Sequence, residues 1–234
     1  MTIAEKLTTV AENLPKVYDA GQRNERERIV GLFWDRIDCV IDHLFSGASA
    51  EFVEAFAPGA DYFPDGLYVE EANYAFADCM YSGSYYDSGL PLFSGCIYTA
   101  DSMFESSKFT VIPPLDLTYC DGNHRIFAHS SVVIIDGLKF GQNSQALSND
   151  AFIYCTELEE IRFADVQLWI DSNLNLQWST KLTHETLREI IYGLTNKRND
   201  TSGTIWEIKL GSANLAKLTD DELEYMDRSG WSYS

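Results

Sequence analysis

The 234-residue chain is poor in positive charge. Its 17 lysines and arginines stand against 36 aspartates and glutamates, which gives a formal net charge of −19 at pH 7. Nucleic-acid-binding proteins neutralise phosphates with lysine and arginine, so we expect no nucleic-acid partner. The same repulsion disfavours an anionic membrane surface. Hydrophobic residues make up 45% of the chain and charged residues 23%, which is typical of a folded globular protein.

Long hydrophobic runs are also missing. The run from Val132 to Ile135 is only four residues long, whereas a membrane-spanning helix needs ~20 apolar residues. The first residues have no basic region followed by an apolar run, so no secretory signal is expected. The sequence therefore predicts no membrane insertion.

Motifs of catalytic and metal sites are absent as well. The sequence has no CxxC, HExxH, GxSxG or glycine-rich phosphate loop, and His124 and His129, five residues apart, have no partner in a metal-binding motif. We expect no catalytic residue, metal or cofactor, although a calcium ion at the acidic 61–65 loop stays an open alternative. The cysteines are odd in number, which favours free thiols in a reducing compartment: Cys39, Cys79, Cys96, Cys120 and Cys155.

The first 47 residues predict helices. Apolar residues recur there at the 4-3 spacing of a coiled-coil seam: Ile3, Leu7, Val10, Leu14 and Val17. We expect this seam to attach the protein to a partner or to form a homo-oligomer, with a trimer favoured. The alternative is an amphipathic helix that packs on its own domain. A second helix is predicted from Ile29 to Leu44, closed by Gly47.

Internal repetition begins after about residue 50. Apolar-x-apolar pairs recur every 23 residues and predict short strands: Leu115/Leu117, Leu138/Phe140 and Ile161/Phe163. A Phe-x-x-small pattern accompanies them: Phe76/Cys79, Phe93/Cys96, Phe104/Ser107, Phe127/Ser130 and Phe152/Cys155. Such short units bury their apolar sides only by stacking, so we expect parallel strands with the phenylalanines behind them. Because serine replaces cysteine in this pattern, we interpret Cys79, Cys96 and Cys155 as small buried side chains.

A resemblance follows from these residues. The segment 149–163, NDAFIYCTELEEIRF, resembles one unit of the BspA-like leucine-rich repeat, AF-x-x-C-x-x-L-x-x-I-x-[FIL]. The opening MTIAEKLTTVAENLPKVYDAG and the closing segment from LQWSTKLTHE resemble a subgroup encoded in phages and prophages of gut Firmicutes. The resemblance implies an α+β fold, a short leucine-rich-repeat solenoid between N-terminal helices (residues 1–47) and a C-terminal α/β cap (178–234), with the repeats at 48–177.

The C-terminal segment reads as the end cap of such a stack. Thr183 precedes a predicted helix from Glu185 to Leu194 as an N-cap. A strand is predicted at Ile205–Leu210, and a last helix at Asp220–Asp227. Repeat stacks need atypical ends, because an open edge would recruit other chains.

The candidate binding residues are Tyr81, Tyr85 and Tyr86. They lie in a Gly/Ser-rich stretch, Met80–Gly89, outside the repeat pattern. Tyrosine among serine and glycine is typical of adaptable contact loops, and aromatic faces also suit sugar rings. The alternative is that these tyrosines cover an irregular first repeat.

The resemblance implies a non-enzymatic structural protein of a phage virion. Its expected role is a tail-fibre or baseplate-associated module that presents a repeat surface to other virion proteins or to a glycan or protein of the host surface. One alternative is a bacterial repeat adhesin or interaction protein without a virion role. A polysaccharide depolymerase is a further alternative, although no carboxylate pair is placed by the sequence.

Overall fold

A computed structural model describes residues 40–56, 63–121, 125–140, 150–164, 170, 172–202 and 204–234. The predicted seam lies outside the described residues, as do Cys39 and most of the predicted second helix. Nothing in the structure therefore bears on attachment or oligomerisation through the first 39 residues.

The described chain mixes short helices with short parallel strands. The helices are α1 (Ala50–Ala55), α2 (His184–Gly193), α3 (Gly211–Leu215) and α4 (Asp220–Ser229), with a 3₁₀-helix at Tyr85–Ser88. The strands are β1 (Leu67–Tyr68), β2 (Gly83–Ser84), β3 (Phe93–Ser94), β4 (Phe109–Ile112), β5 (Leu115–Leu117), β6 (Ile134–Phe140), β7 (Glu160–Phe163), β8 (Leu174–Asn175), β9 (Glu207–Lys209) and β10 (Ser232–Tyr233). Every strand pair among them is parallel.

The strand register follows the predicted 23-residue period only in part. In the central sheet, β4 and β5 pair with successive halves of β6, and Leu115 lies opposite Leu138 as the period predicts. The next pair departs from it. Ile161 lies opposite Ile135 instead of Leu138, and an irregularity in β6 after Asp136 shifts the register further along β7. The chain between the paired residues of β6 and β7 is longer than the 23-residue period, so the period does not extend to β7.

A ladder of phenylalanine rings forms the centre of the core. Successive rings lie nearly parallel, with centroids 5.3, 5.1, 6.1 and 5.3 Å apart, and all are at most 2% exposed. This phenylalanine ladder consists of Phe45, Phe76, Phe104, Phe127 and Phe152. Each ring comes from a separate turn of the chain. Burying aromatic rings in offset stacks is strongly stabilising, which explains why one phenylalanine recurs per turn.

The turn that contains Phe45, the first ring of the ladder, contradicts the prediction of a helix up to Leu44. Residues 41–47 form turns, and the backbone N–H groups of Phe45 and Gly47 donate to the carbonyls of Ala75 and Ala77 at 2.7 Å. The apolar spacing that predicted a helix here instead places Phe45 against the next turn, because tertiary packing overrides local periodicity. The stack therefore begins before residue 48, ahead of the predicted boundary.

Helix α1 closes the N-terminal end of the phenylalanine ladder. The rings of Phe52 and Phe56 meet Phe45 edge-on, at 6.2 and 6.3 Å between centroids. Ser49 caps the helix by accepting a hydrogen bond from the N–H of Phe52. An aromatic end face that would otherwise contact water is thereby covered.

A column of small buried residues runs beside the ladder. Its members each donate their backbone N–H to the carbonyl of the ladder phenylalanine three residues earlier, at 3.1–3.2 Å: Cys79, Ser107, Ser130 and Cys155. The thiol of Cys155 also donates to the carbonyl oxygen of Phe127 at 2.9 Å. Close interior packing favours small side chains, which is consistent with both cysteine and serine in this column.

Phe93 and Cys96 lie outside these two columns, contrary to the sequence prediction. Phe93 belongs to strand β3 and is partly buried, with its ring meeting Phe76 edge-on at 6.0 Å. Cys96 is also partly exposed. The local pattern Phe-x-x-Cys matches that of the ladder turns, but this segment forms a strand beside β1 instead of a turn.

The C-terminal segment covers the last strand of the central sheet. The backbone N–H of Thr183 donates to the carbonyl of Glu159, and the Thr186 hydroxyl accepts from the N–H of Ile161. The predicted helices are confirmed as α2 and α4, with Thr183 and Thr219 as N-caps. Helix α3 and strand β10 are additions that the sequence pattern did not indicate.

Candidate binding surface

The burial of Tyr85 contradicts the prediction that this residue contacts a partner. It is 1% exposed, its hydroxyl donates to the carbonyl of Pro91 at 2.9 Å, and its ring packs on Phe93 and Phe109. Burial raises its pKa well above the usual value. Tyr85 is therefore a core residue, as the alternative interpretation of this stretch stated.

The other two predicted tyrosines differ in exposure. Tyr81 is partly buried and packs on Phe109 at 5.4 Å between centroids. Tyr86 is exposed, but its hydroxyl donates to Asp136 at 2.7 Å, and burial together with that carboxylate raises its pKa to about 12. Arg162 donates to the other oxygen of Asp136 at 3.0 Å. Tyr86 thus fastens the 3₁₀-helix to the strands β6 and β7.

A second row of aromatic rings is exposed on the surface. The ring of His129 lies 4.8 Å from Tyr154, and Tyr154 lies 4.6 Å from Trp178, with tilts of 34° and 31°. Tyr154 is 44% exposed and Trp178 is 39% exposed. We call these three residues the aromatic column. It brings together side chains from three separate turns and was not predicted from the sequence.

The aromatic column follows from backbone repetition. His129 and Tyr154 each lie two residues after a ladder phenylalanine, as Asp78 and Ser106 do, and all four have φ between 56° and 58°. The N–H of His129 donates to the carbonyl of Ile153 at 2.8 Å, which holds the two turns in register. Identical backbone conformations in adjacent turns point their side chains in the same direction, so the rings stack.

Trp178 occupies the corresponding place in the following turn. There Leu176 replaces the ladder phenylalanine, is fully buried, and accepts a hydrogen bond from the N–H of Ser179 at 3.0 Å. Trp178 therefore stands two residues after Leu176, as Tyr154 stands two after Phe152. The Phe-x-x-small pattern missed this turn because its apolar residue is leucine.

Polar atoms of the aromatic column are free to bind a ligand. Within the described residues, no hydrogen bond involves the Trp178 Nε1, the Tyr154 hydroxyl or the His129 ring nitrogens. By contrast, Trp206 donates its Nε1–H to Asp200 at 2.5 Å, and Trp231 donates to the carbonyl of Thr195 at 2.7 Å. Tyrosine and tryptophan usually find a partner for these groups when buried, so their exposure here leaves donors directed at solvent.

Two of the three residues of the aromatic column, His129 and Tyr154, have a left-handed backbone, whereas Trp178 does not. A left-handed backbone conformation costs ~1–2 kcal/mol for a residue with a side chain. Glycine avoids this cost, and Gly47 occupies the equivalent position in the first turn. A bulky ring at φ 57°, as at Tyr154, is unusual. The same conformation recurs at Asp78 and Ser106, so it belongs to the repeated turn.

Comparison with protein-family models, with curated proteins and with solved structures found no match to this chain.

Basic side chains on the turns of the aromatic column are paired with acids. Arg125 contacts Glu105 at 2.6 Å, and Lys181 contacts Glu157 at 2.6 Å. The hydrogen bond and charge of Lys181 lower the pKa of Glu157. Both cations therefore contact carboxylates in a chain whose net charge is −19.

Other aromatic pairs of the described residues also reach the surface. Tyr98 and Tyr119 are both exposed and stack at 6.4 Å, and His43 lies flat on Tyr74 at 4.8 Å. The Tyr74 hydroxyl donates to Asp101 at 3.3 Å. Each pair contributes only two rings, so the aromatic column is the longer surface.

Two of the buried thiols have raised pKa values. Burial raises the pKa of Cys79 to about 11 and that of Cys155 to about 12, which keeps both thiols protonated at neutral pH. Among the residues that the structure describes, no three His, Cys, Asp or Glu side chains are grouped to hold a metal ion. No helix in those ranges is long and apolar enough to cross a bilayer.

Proposed function

We propose that this protein is a non-enzymatic binding module in which a short leucine-rich-repeat-like solenoid presents the aromatic column to a partner. The observation that carries the proposal is the stacking of His129, Tyr154 and Trp178 on the surface, with their polar atoms unpaired by the described chain. Exposed tyrosine and tryptophan are enriched at binding surfaces, because one end of each ring is apolar and the other polar. The rigid stack of turns fixes their positions before binding.

We further propose that the module belongs to a phage virion, as a tail-fibre or baseplate-associated protein. The support is the resemblance of segment 149–163 to a BspA-like repeat, together with the parallel turns that stack one phenylalanine each. The acidic net charge would keep such an assembly module soluble before it joins other proteins.

Mass spectrometry of purified particles tests the virion assignment. Particles induced from the strain that encodes the chain are purified by density gradient and digested. Peptides of this chain in the particle band, at a constant ratio to the major capsid protein, are the expected result. Peptides found only in the soluble lysate would contradict a virion role and favour a bacterial interaction protein.

A cell-binding assay with purified protein tests the aromatic column. Purified protein carrying Tyr154→Ala is compared with the parent for binding to host cells, measured by flow cytometry of fluorescently labelled protein. Tyr119→Ala is the matched control, since Tyr119 is a 58% exposed stacked tyrosine outside the column. We expect loss of binding only for Tyr154→Ala. Equal binding of all three proteins would contradict the assignment of the surface.

A further inference from the structure

Resting on the proposed binding role, we propose that the aromatic column binds an uncharged, extended glycan chain that runs along the stack of turns. The column supplies one aromatic ring per turn, with centroids 4.8 and 4.6 Å apart. The ligand must therefore present equivalent groups at a similar spacing.

Spacing separates a glycan from a peptide. An extended peptide presents side chains to one face only every ~6.7 Å, because alternate residues point to opposite faces. It would fall out of step with rings spaced like adjacent strands, at ~5 Å. One sugar of an extended chain covers about the distance between adjacent turns, so successive sugars meet successive rings.

The chemistry of the rings also fits sugars. Although the rings lie against one another, Tyr154 is 44% exposed and Trp178 is 39% exposed, so part of each ring reaches solvent. Apolar C–H groups of a sugar pack on such surfaces. The Trp178 Nε1–H donates only, whereas the Tyr154 hydroxyl both donates and accepts, so together they can bind sugar hydroxyl and ring oxygens.

Charge selects among glycans. The chain has a net charge of −19, and Arg125 and Lys181 beside the column are paired with Glu105 and Glu157. The net negative charge disfavours an anionic polysaccharide, and these two cations already contact carboxylates. An uncharged chain avoids that repulsion and still uses the ring donors.

Affinity electrophoresis tests this inference with the full-length protein. Native gels contain hydroxyethylcellulose, mixed-linkage β-glucan, glucomannan or dextran as uncharged probes, and alginate as the anionic probe. We expect retardation of the parent protein by at least one uncharged polymer and none by alginate. Tyr154→Ala and Trp178→Ala should weaken the binding about tenfold or more, as for residues central to a contact.

Two further variants separate binding from folding. Tyr119→Ala removes an exposed ring outside the column and should leave retardation unchanged. Tyr154→Phe keeps the ring and removes its hydroxyl, and should weaken binding less than Tyr154→Ala does. Circular dichroism of each variant checks that the fold is retained.

Several outcomes would overturn the glycan assignment. These are no retardation by any uncharged polymer, equal retardation by alginate, or equal loss in Tyr119→Ala and Tyr154→Ala. Detection of the chain in particles without glycan binding would leave the virion role standing and reject only this inference. Glycan binding by a chain that is absent from particles would reject the virion role and leave the glycan inference standing.

Discussion

The indole ring of Trp178 lies 4.6 Å from the phenol ring of Tyr154, although the two residues belong to different turns of the chain. Their contact exists because each residue follows the buried apolar residue of its own turn by two positions. The interior packing of Phe152 and Leu176 therefore determines which side chains meet on the surface.

The phenylalanine ladder should be the most sensitive part of the core. Phe127→Ala removes a fully buried ring stacked between Phe104 and Phe152, and should lower the free energy of unfolding by ~3–5 kcal/mol. Urea denaturation followed by tryptophan fluorescence measures the change. Phe93→Ala is the control and should have a smaller effect, because Phe93 is partly buried. Equal losses would contradict the distinction between ladder and strand phenylalanines.

Stability should fall at alkaline pH because of the buried thiols. The pKa of Cys79 is about 11 and that of Cys155 about 12 in the folded protein, against 9.0 for an ordinary thiol. Above pH 9 the unfolded chain releases protons that the folded chain retains, so stability is fully present below pH 9 and lost as the pH rises toward 11–12. At pH 10 each thiol contributes a loss of ~1.4 kcal/mol.

Replacing one thiol tests that pH dependence. Cys155→Ser should fold, since Ser107 and Ser130 occupy the same column, and should show a shallower decrease in stability between pH 8 and pH 10.5. Cys96→Ser, at a partly exposed thiol, should change the slope less. Urea denaturation at several pH values gives the slope of the free energy of unfolding against pH. Identical slopes in the parent and both variants would show that the Cys155 thiol does not cause the loss of stability.

Backbone strain predicts a stabilising substitution. Ser106 has φ 57°, a conformation that glycine adopts without the steric cost of a side chain, so Ser106→Gly should raise the free energy of unfolding by ~0.5–1 kcal/mol. Ser106→Ala is the matched control. It should not raise stability, since alanine keeps the Cβ that makes a positive φ costly. Thermal unfolding of both variants measures the difference.

The pKa of Tyr86 depends on its partner. It is about 12 because of burial, the hydrogen bond to Asp136 and the charge of that carboxylate. Asp136→Asn removes the charge but not the burial, so the pKa should fall part of the way toward 10. Ultraviolet absorbance titration of phenolate formation measures this, with Tyr86→Phe identifying the contribution of Tyr86. An unchanged titration curve in Asp136→Asn would show that the carboxylate has no influence.

The repeat pattern predicted the interior better than the surface. Phenylalanine at the right intervals indicated stacking, and serine in place of cysteine indicated a column limited by size, because interior positions accept few side chains. Tyr85 could not be placed from its Gly/Ser-rich neighbours, since its burial depends on packing against Phe93 and Phe109, which lie in two separate strands. Phe93 and Cys96 share the local pattern of the ladder turns but have another environment.

The aromatic column could have been found from the sequence with one further step. The second residue after each apolar ladder position is Gly47, Asp78, Ser106, His129, Tyr154 or Trp178, and the last three carry the rings, provided that Leu176 is accepted in place of phenylalanine. Periodicity by itself does not supply that substitution, because it compares residue types and not buried volume. Likewise, the turn at 41–47 resembled a helix until Phe45 was seen to pack on Phe76.

The sequence by itself determined that this acidic chain uses short parallel units, one buried aromatic ring per unit, and helices at its C-terminal end. These features depend on local spacing and on capping residues such as Thr183 and Thr219, which act within a few positions of the chain. Only the tertiary structure decided the register of β7, the burial of Tyr85 and the meeting of Tyr154 with Trp178. Those depend on how far each turn advances before it stacks, and contacts between turns set that distance.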